Sequence, residues 1–134
     1  MDRQQLINLL RSHDAFSTAP DDALEQLVDA GEITEVETGS NLLNQGALGE
    51  SIWVLLSGEL DVVVNDQIVK KITDAGEVFG EISAISLTPA TATVRCAAAT
   101  SAFCIPHGEL HRVMKSSPEL ATAMLRSMAK YLGR

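Results

Sequence analysis

The chain switches between two rhythms of apolar and polar positions. Residues 2–11 carry Leu6, Ile7, Leu9 and Leu10 at helical spacing, and Arg11-Ser12-His13-Asp14 interrupts them. Over residues 18–30, Ala23, Leu24, Leu27 and Val28 line one face of a second predicted helix. Thr18 is its expected N-cap with Asp21 three residues on, Asp21 and Asp22 suit the positive helix end, and Gly31 suits its stop. From residue 32 the period shortens. Ile33 and Val36 begin a strand pattern, followed by the β-type runs NLLNQ, SIWVLLS, LDVVV and QIVKKI. Turn glycines punctuate this block at Gly39, Gly46, Gly49, Gly58, Gly76 and Gly80. Asn65-Asp66 reads as the tip of a tight hairpin, and two more strands are expected over 91–97 and 101–106. Short strands at such spacing point to an antiparallel sandwich or barrel. The helical period returns over 107–115 and 118–132, with Pro118 in a first helical turn. Ala121, Leu125, Met128 and Leu132 form one apolar seam, open to two readings: intramolecular core, or half of a dimer contact.

Composition narrows the function classes. The 134 residues are the length of one domain, and aromatic content of 4% makes the core aliphatic. A net charge of −8 with no basic cluster argues against nucleic acid as a direct partner. The apolar run Leu6–Leu10 is short and broken by Asn8, so no signal peptide is expected, and no run approaches the ~20 apolar residues of a membrane span. Cys96 and Cys104 are too few for a disulfide framework. They read as a possible redox pair or, in a cytoplasmic chain, as two small core residues.

Candidate chemistry lies in one stretch. Residues 79–94 read FGEISAISLTPATATV: a glycine and a carboxylate lead into a short apolar turn, then a run of threonines and alanines. Together with the glycine spacing of VETGSNLLNQGALGESIWVLLSGELDVVV and the flanking helices, this stretch resembles the cyclic nucleotide-binding domain family. It is similar to the phosphate-binding cassettes of catabolite activator proteins and of the regulatory subunits of cyclic-AMP-dependent kinase. The resemblance runs from about Phe16 to Leu132 and implies one domain over 1–134. It implies an eight-stranded antiparallel jelly roll over about 32–106, with helices at both ends. The ligand would sit inside the roll against a short cassette helix, and the last helix would act as a lid or dimer element.

The resemblance also assigns the cassette. A cyclic nucleotide presents an anionic phosphate, a ribose hydroxyl and a base. The phosphate calls for backbone N–H groups and a cation, and the hydroxyl calls for an acceptor. Phe79 and Gly80 open the cassette, and Gly80 allows close backbone approach. Glu81 stands at the ribose-binding position, its plain alternative being a helix cap. Ile82 and Ser83 would present N–H groups, and Thr91 and Ala92 would flank the phosphate on the following strand. The departure is Ala90. The family's pattern is Pro-Arg-x-Ala, and this chain has Pro89-Ala90-Thr91-Ala92. Losing one charge-assisted hydrogen bond costs roughly 1.5–3 kcal/mol, about tenfold to a hundredfold in affinity. Arg95 shares the expected strand face of Thr91 and Thr93 but starts about 13 Å from the phosphate position, while Lys70 and Lys71 fall on another strand.

Other motifs carry less. Ser83, Ser86, Thr88, Thr91 and Thr93 form a hydroxyl-rich set that suits a neutral polar ligand, or simply turns and strands. His107 and His111 stand four apart on a predicted helix, but HGELH is not HExxH and His13 is remote, so no metal site is expected. No nucleophile–base constellation appears. The expectation is a non-catalytic regulatory module without a cofactor, binding cyclic AMP or cyclic GMP weakly or not at all. The alternatives are a domain that has lost its ligand and serves protein–protein contact, and a sensor of another small ligand. A small cupin-like enzyme is disfavoured by the missing metal cluster. No helix-turn-helix follows the last helix, so a partner protein or a homodimer through that helix is expected, unless the chain is one domain of a longer polypeptide.

Overall fold

The computed structural model describes residues 1–132. Its elements run α1 (Arg3–Arg11), α2 (Asp21–Ala30), β1 (Glu32–Val36), β2 (Asn41–Leu43), β3 (Ser51–Ser57), β4 (Leu60–Val64), β5 (Gln67–Ile72), β6 (Val78–Phe79), α3 (Glu81–Ser86), β7 (Thr93–Cys96), β8 (Thr100–Pro106), α4 (His107–Ser116) and α5 (Pro118–Leu132). The chain divides into two compact units, a helical one built from residues 1–32 and 105–132 and a β unit over 33–104.

In the helical unit α1 meets α2, α2 meets α4, and α4 meets α5. The first helix begins at a capping box that the apolar pattern did not reveal. The Asp2 carboxylate accepts the Gln5 amide at 2.8 Å, and the Gln5 side chain accepts the Asp2 amide at 2.9 Å. Thr18 does not cap α2. Pro20 holds the N-cap at φ −61° and ψ 151°, without a side-chain bond, so the proline ring sets the start two residues beyond the expected cap. Gly31 is the C-cap, as expected, in extended rather than left-handed geometry. Leu6, Ile7, Leu10, Leu24, Leu27, Leu110 and Val113 are buried as the helical spacing requires. The seam named on α5 points elsewhere. Leu120, Ala123, Met124 and Ser127 are the buried stripe, whereas Leu125 is 60% exposed. Ala121 and Met128 are half-buried, and the Leu132 side chain lies outside the described residues. Two stripes of the helix carry apolar residues, and small Ala123 and polar Ser127 hid the inward one.

The β unit is two four-stranded sheets, ordered β1-β8-β3-β6 and β2-β7-β4-β5. With flanking helices and eight antiparallel strands, this is the jelly-roll class the resemblance implied. The two-residue strand β6 was not legible from apolar alternation. Between the sheets lies a cluster of Leu43, Leu55, Leu60, Ile72, Phe79, Val94 and Cys96, with Val36, Leu42, Trp53 and Val62 packed against it. Trp53 stacks on Phe79 with ring centroids 6.3 Å apart and planes within 6°. The Asn65-Asp66 hairpin forms as expected, both residues with positive φ (50° and 66°), which is the backbone of a two-residue I′ turn. Cys96 is buried on β7 and Cys104 half-buried on β8, in different sheets, and neither forms a disulfide.

Candidate ligand-binding site

The cassette begins at a turn that requires glycine. Gly80 caps α3 at φ 81° and ψ 2°, and a Cβ there would stand 3.0 Å from the Ser51 carbonyl oxygen. The chain therefore leaves β6 at Phe79, reverses against β3 and enters α3 with Glu81 in its first turn. The far end of α3 closes at Leu87, a second left-handed residue with φ 56°, whose amide donates to the Ser83 carbonyl at 2.9 Å.

Ser83 is structural through its side chain. Its buried hydroxyl accepts the Gly49 amide at 2.8 Å and donates to the Thr88 carbonyl at 2.6 Å. Gly49 is glycine because a Cβ would stand 2.9 Å from that hydroxyl. One hydroxyl thus ties α3 to the loop before β3 and to the strand-like segment after α3. The Ile82 side chain lies outside the described residues.

Glu81 is half-buried, and burial pushes its carboxyl above the ordinary value of 4.5. A backbone hydrogen bond and the charge of Lys70 oppose that rise, and the charge of Glu77 adds to it. Here the site has an acceptor that is costly to ionise, near one lysine and one carboxylate.

Ala90 is 8% exposed. Its amide donates to the Ala47 carbonyl at 2.8 Å, and its carbonyl accepts the Gly46 amide at 2.9 Å. The adjoining Pro89 bridges Leu48. The segment after α3 is thus laced to the 46–48 loop, and the Ala90 methyl sits inside the packing. Thr91 and Ala92 lie in a bend before β7 rather than on the strand, so Thr91 does not share a strand face with Thr93 and Arg95. Arg95 is exposed and donates to the Asn41 side chain at 3.2 Å.

The structure also places the two lysines. Lys71 holds Asp61 at 2.7 Å and Glu59 at 3.2 Å. Lys70 stands opposite Val62 on the neighbouring strand. The Gln45 side chain clamps the hairpin tip, donating to the Asn65 side chain at 3.0 Å and accepting the Asn65 amide at 2.9 Å, while the Gln45 amide reaches Thr93 Oγ1 at 3.0 Å. Sequence reading missed that clamp, since no pattern links Gln45 to Asn65. A groove of about 290 Å³ opens beside these elements, lined among others by Leu42, Leu43, Leu48, Glu50 and Trp53. His107 and His111 form an edge-on ring pair at 6.2 Å on α4. Among the described residues, no three His, Cys, Asp or Glu side chains gather as a metal site would require.

A family profile described as "Cyclic nucleotide-binding domain" matches residues 33–117. A cGMP-dependent protein kinase of Eimeria tenella is 38% identical over 79 residues, covering 59% of this chain and 8% of the kinase. The chain thus corresponds to a small part of that relative's length. The regulatory domain of Toxoplasma gondii PKA, solved with cAMP, superposes with a TM-score of 0.76 at 23% identity, over 83% of this chain and 44% of that one. The sensor domain of the transcriptional regulator DNR from Pseudomonas aeruginosa superposes with a TM-score of 0.81 at 20% identity, over 97% of this chain and 90% of that one. At these identities the two structures speak for the fold.

Proposed function

The chain belongs to the cyclic nucleotide-binding domain family, and on that premise we propose that it is a non-catalytic regulatory module whose site binds cyclic AMP and cyclic GMP weakly or not at all. The observation that carries this reading is Ala90, a small buried side chain held by two backbone bonds to the 46–47 loop. It stands where the family's cassettes place an arginine. A methyl group offers a phosphate neither charge nor donor, and an anion buried unpaired is costly.

The rest of the cassette supports a site that keeps its form. Gly80 holds the left-handed turn, Glu81 occupies the first turn of α3, and Ser83 locks the helix to the Gly49 loop. In this reading Glu81 is the hydroxyl acceptor, the amides of Ile82 and Ser83 face the anionic group, and Thr91 and Ala92 flank it. A partner protein, or a second copy docking on the exposed Leu125 face of α5, would read out the state of the module. Calorimetric titration with cyclic AMP and cyclic GMP tests the reading, which expects no low-micromolar dissociation constant for either.

A further inference from the structure

We infer that Lys70 is the cation of this site, offering its ammonium from the Ile72 face of β5 to the anionic group of a small ligand whose hydroxyl Glu81 accepts. The inference rests on the proposed site and explains why binding there is weak rather than tuned.

Three observations carry it. The first is the face of β5. Lys71 points outward, to the carboxylates of Asp61 and Glu59, while Ile72 is buried in the inter-sheet cluster. Side chains alternate along a strand, so Lys70, itself exposed, stands on the same face of β5 as Ile72. Its cross-strand partner Val62 packs against the cluster that also contains Phe79, the residue two before Glu81. The second is that Lys70, among the described residues, makes no hydrogen bond or ion pair, unlike its neighbour Lys71. The third is that the hairpin carrying Lys70 is tied to the cassette. Gln45 clamps Asn65, and the next residue, Gly46, donates to the Ala90 carbonyl. Consistent with this placement, the Lys70 charge acts on Glu81 and draws its carboxyl downward against the effect of burial.

A lysine here is not equivalent to an arginine at position 90. It is a strongly hydrated point charge on a flexible stem, while a guanidinium is a planar fork that matches two phosphate oxygens. The site therefore favours an anion but fixes it poorly.

The test is an NMR titration of the full chain with cyclic AMP and, separately, with adenosine, which lacks the phosphate, taken to ~10 mM to reach weak binding. The variants are Lys70→Gln, Lys70→Arg and, as the outward-facing control, Lys71→Gln. The expected result is saturable millimolar binding of cyclic AMP by the native chain, weakened about tenfold or more in Lys70→Gln. Lys70→Arg and Lys71→Gln should retain it, and any adenosine binding should be unaffected by Lys70→Gln. Unchanged cyclic AMP binding in Lys70→Gln overturns the inference and leaves the weak-binding reading standing. So does the absence of binding in the native chain. A low-micromolar affinity in the native chain instead overturns the weak-binding reading itself. Lys70 is exposed, so Lys70→Gln should fold with an unchanged melting temperature.

Discussion

Ser83 accepts a hydrogen bond from the Gly49 amide at 2.8 Å, joining the cassette helix to the loop that precedes β3. The same hydroxyl donates to the Thr88 carbonyl, so a single oxygen fixes both ends of the segment that would face a ligand. Ser83→Ala leaves the buried Gly49 amide without its acceptor and removes the bond to the Thr88 carbonyl. The expected loss is about 1–3 kcal/mol of stability, read as a lower denaturant midpoint with an unchanged slope. A midpoint equal to that of the native chain would show that the hydroxyl does not hold the segment.

Gly80 faces two penalties where Gly39 faces one. Both have positive φ (81° and 91°), but a Cβ at Gly80 meets the Ser51 carbonyl oxygen at 3.0 Å, and one at Gly39 meets nothing within 4 Å. Gly80→Ala should therefore cost more than Gly39→Ala, the strained backbone alone costing about 1–3 kcal/mol. Equal losses in thermal melts of the two variants would remove the steric half of the argument.

Glu81 makes stability depend on pH in a direction that its burial dictates. Its folded carboxyl titrates above the unfolded one, so the folded state holds the proton more tightly. Its contribution is fully present below the ordinary value of 4.5 and is lost as pH rises through the folded value. Glu81→Gln removes the cost of the buried charge. It should melt higher than the native chain at neutral pH, with the advantage disappearing below pH 4.5. An advantage that is constant across pH would mean that something other than ionisation separates the two chains.

The architecture was largely legible because alternation, glycine spacing and helical period all survive in the apolar pattern. The Asn65-Asp66 turn and the helices over 3–11 and 107–116 stand close to where that pattern put them. What escaped has physical causes. Pro20, not Thr18, starts α2, because a fixed φ outranks a potential cap. Strand β6 is two residues long, too short to show alternation. The inward stripe of α5 includes Ala123 and Ser127, which do not register as core in the apolar pattern, while the exposed Leu125 stripe does. In the cassette, the left-handed Gly80 and the acidic first turn at Glu81 stand where the sequence pattern put a turn glycine leading into a short helix. The bonds of Ser83 to Gly49 and of Gln45 to Asn65 join segments distant in the chain, which one-dimensional spacing does not carry.

Ala90→Arg asks whether charge alone is missing. The native methyl is buried and its backbone is laced to the 46–47 loop, so the longer side chain must find its way toward Glu81 or disturb that packing. If the cassette is otherwise intact, the variant gains a melting temperature that climbs with cyclic nucleotide concentration. A flat melting temperature at millimolar ligand would mean that the pocket is reshaped beyond one residue.

The most direct test of the central claim is calorimetric titration of the native chain and Ala90→Arg, side by side, with cyclic AMP and cyclic GMP. The account predicts no low-micromolar binding of either nucleotide to the native chain, and tighter binding to the variant. A low-micromolar dissociation constant for the native chain would contradict it.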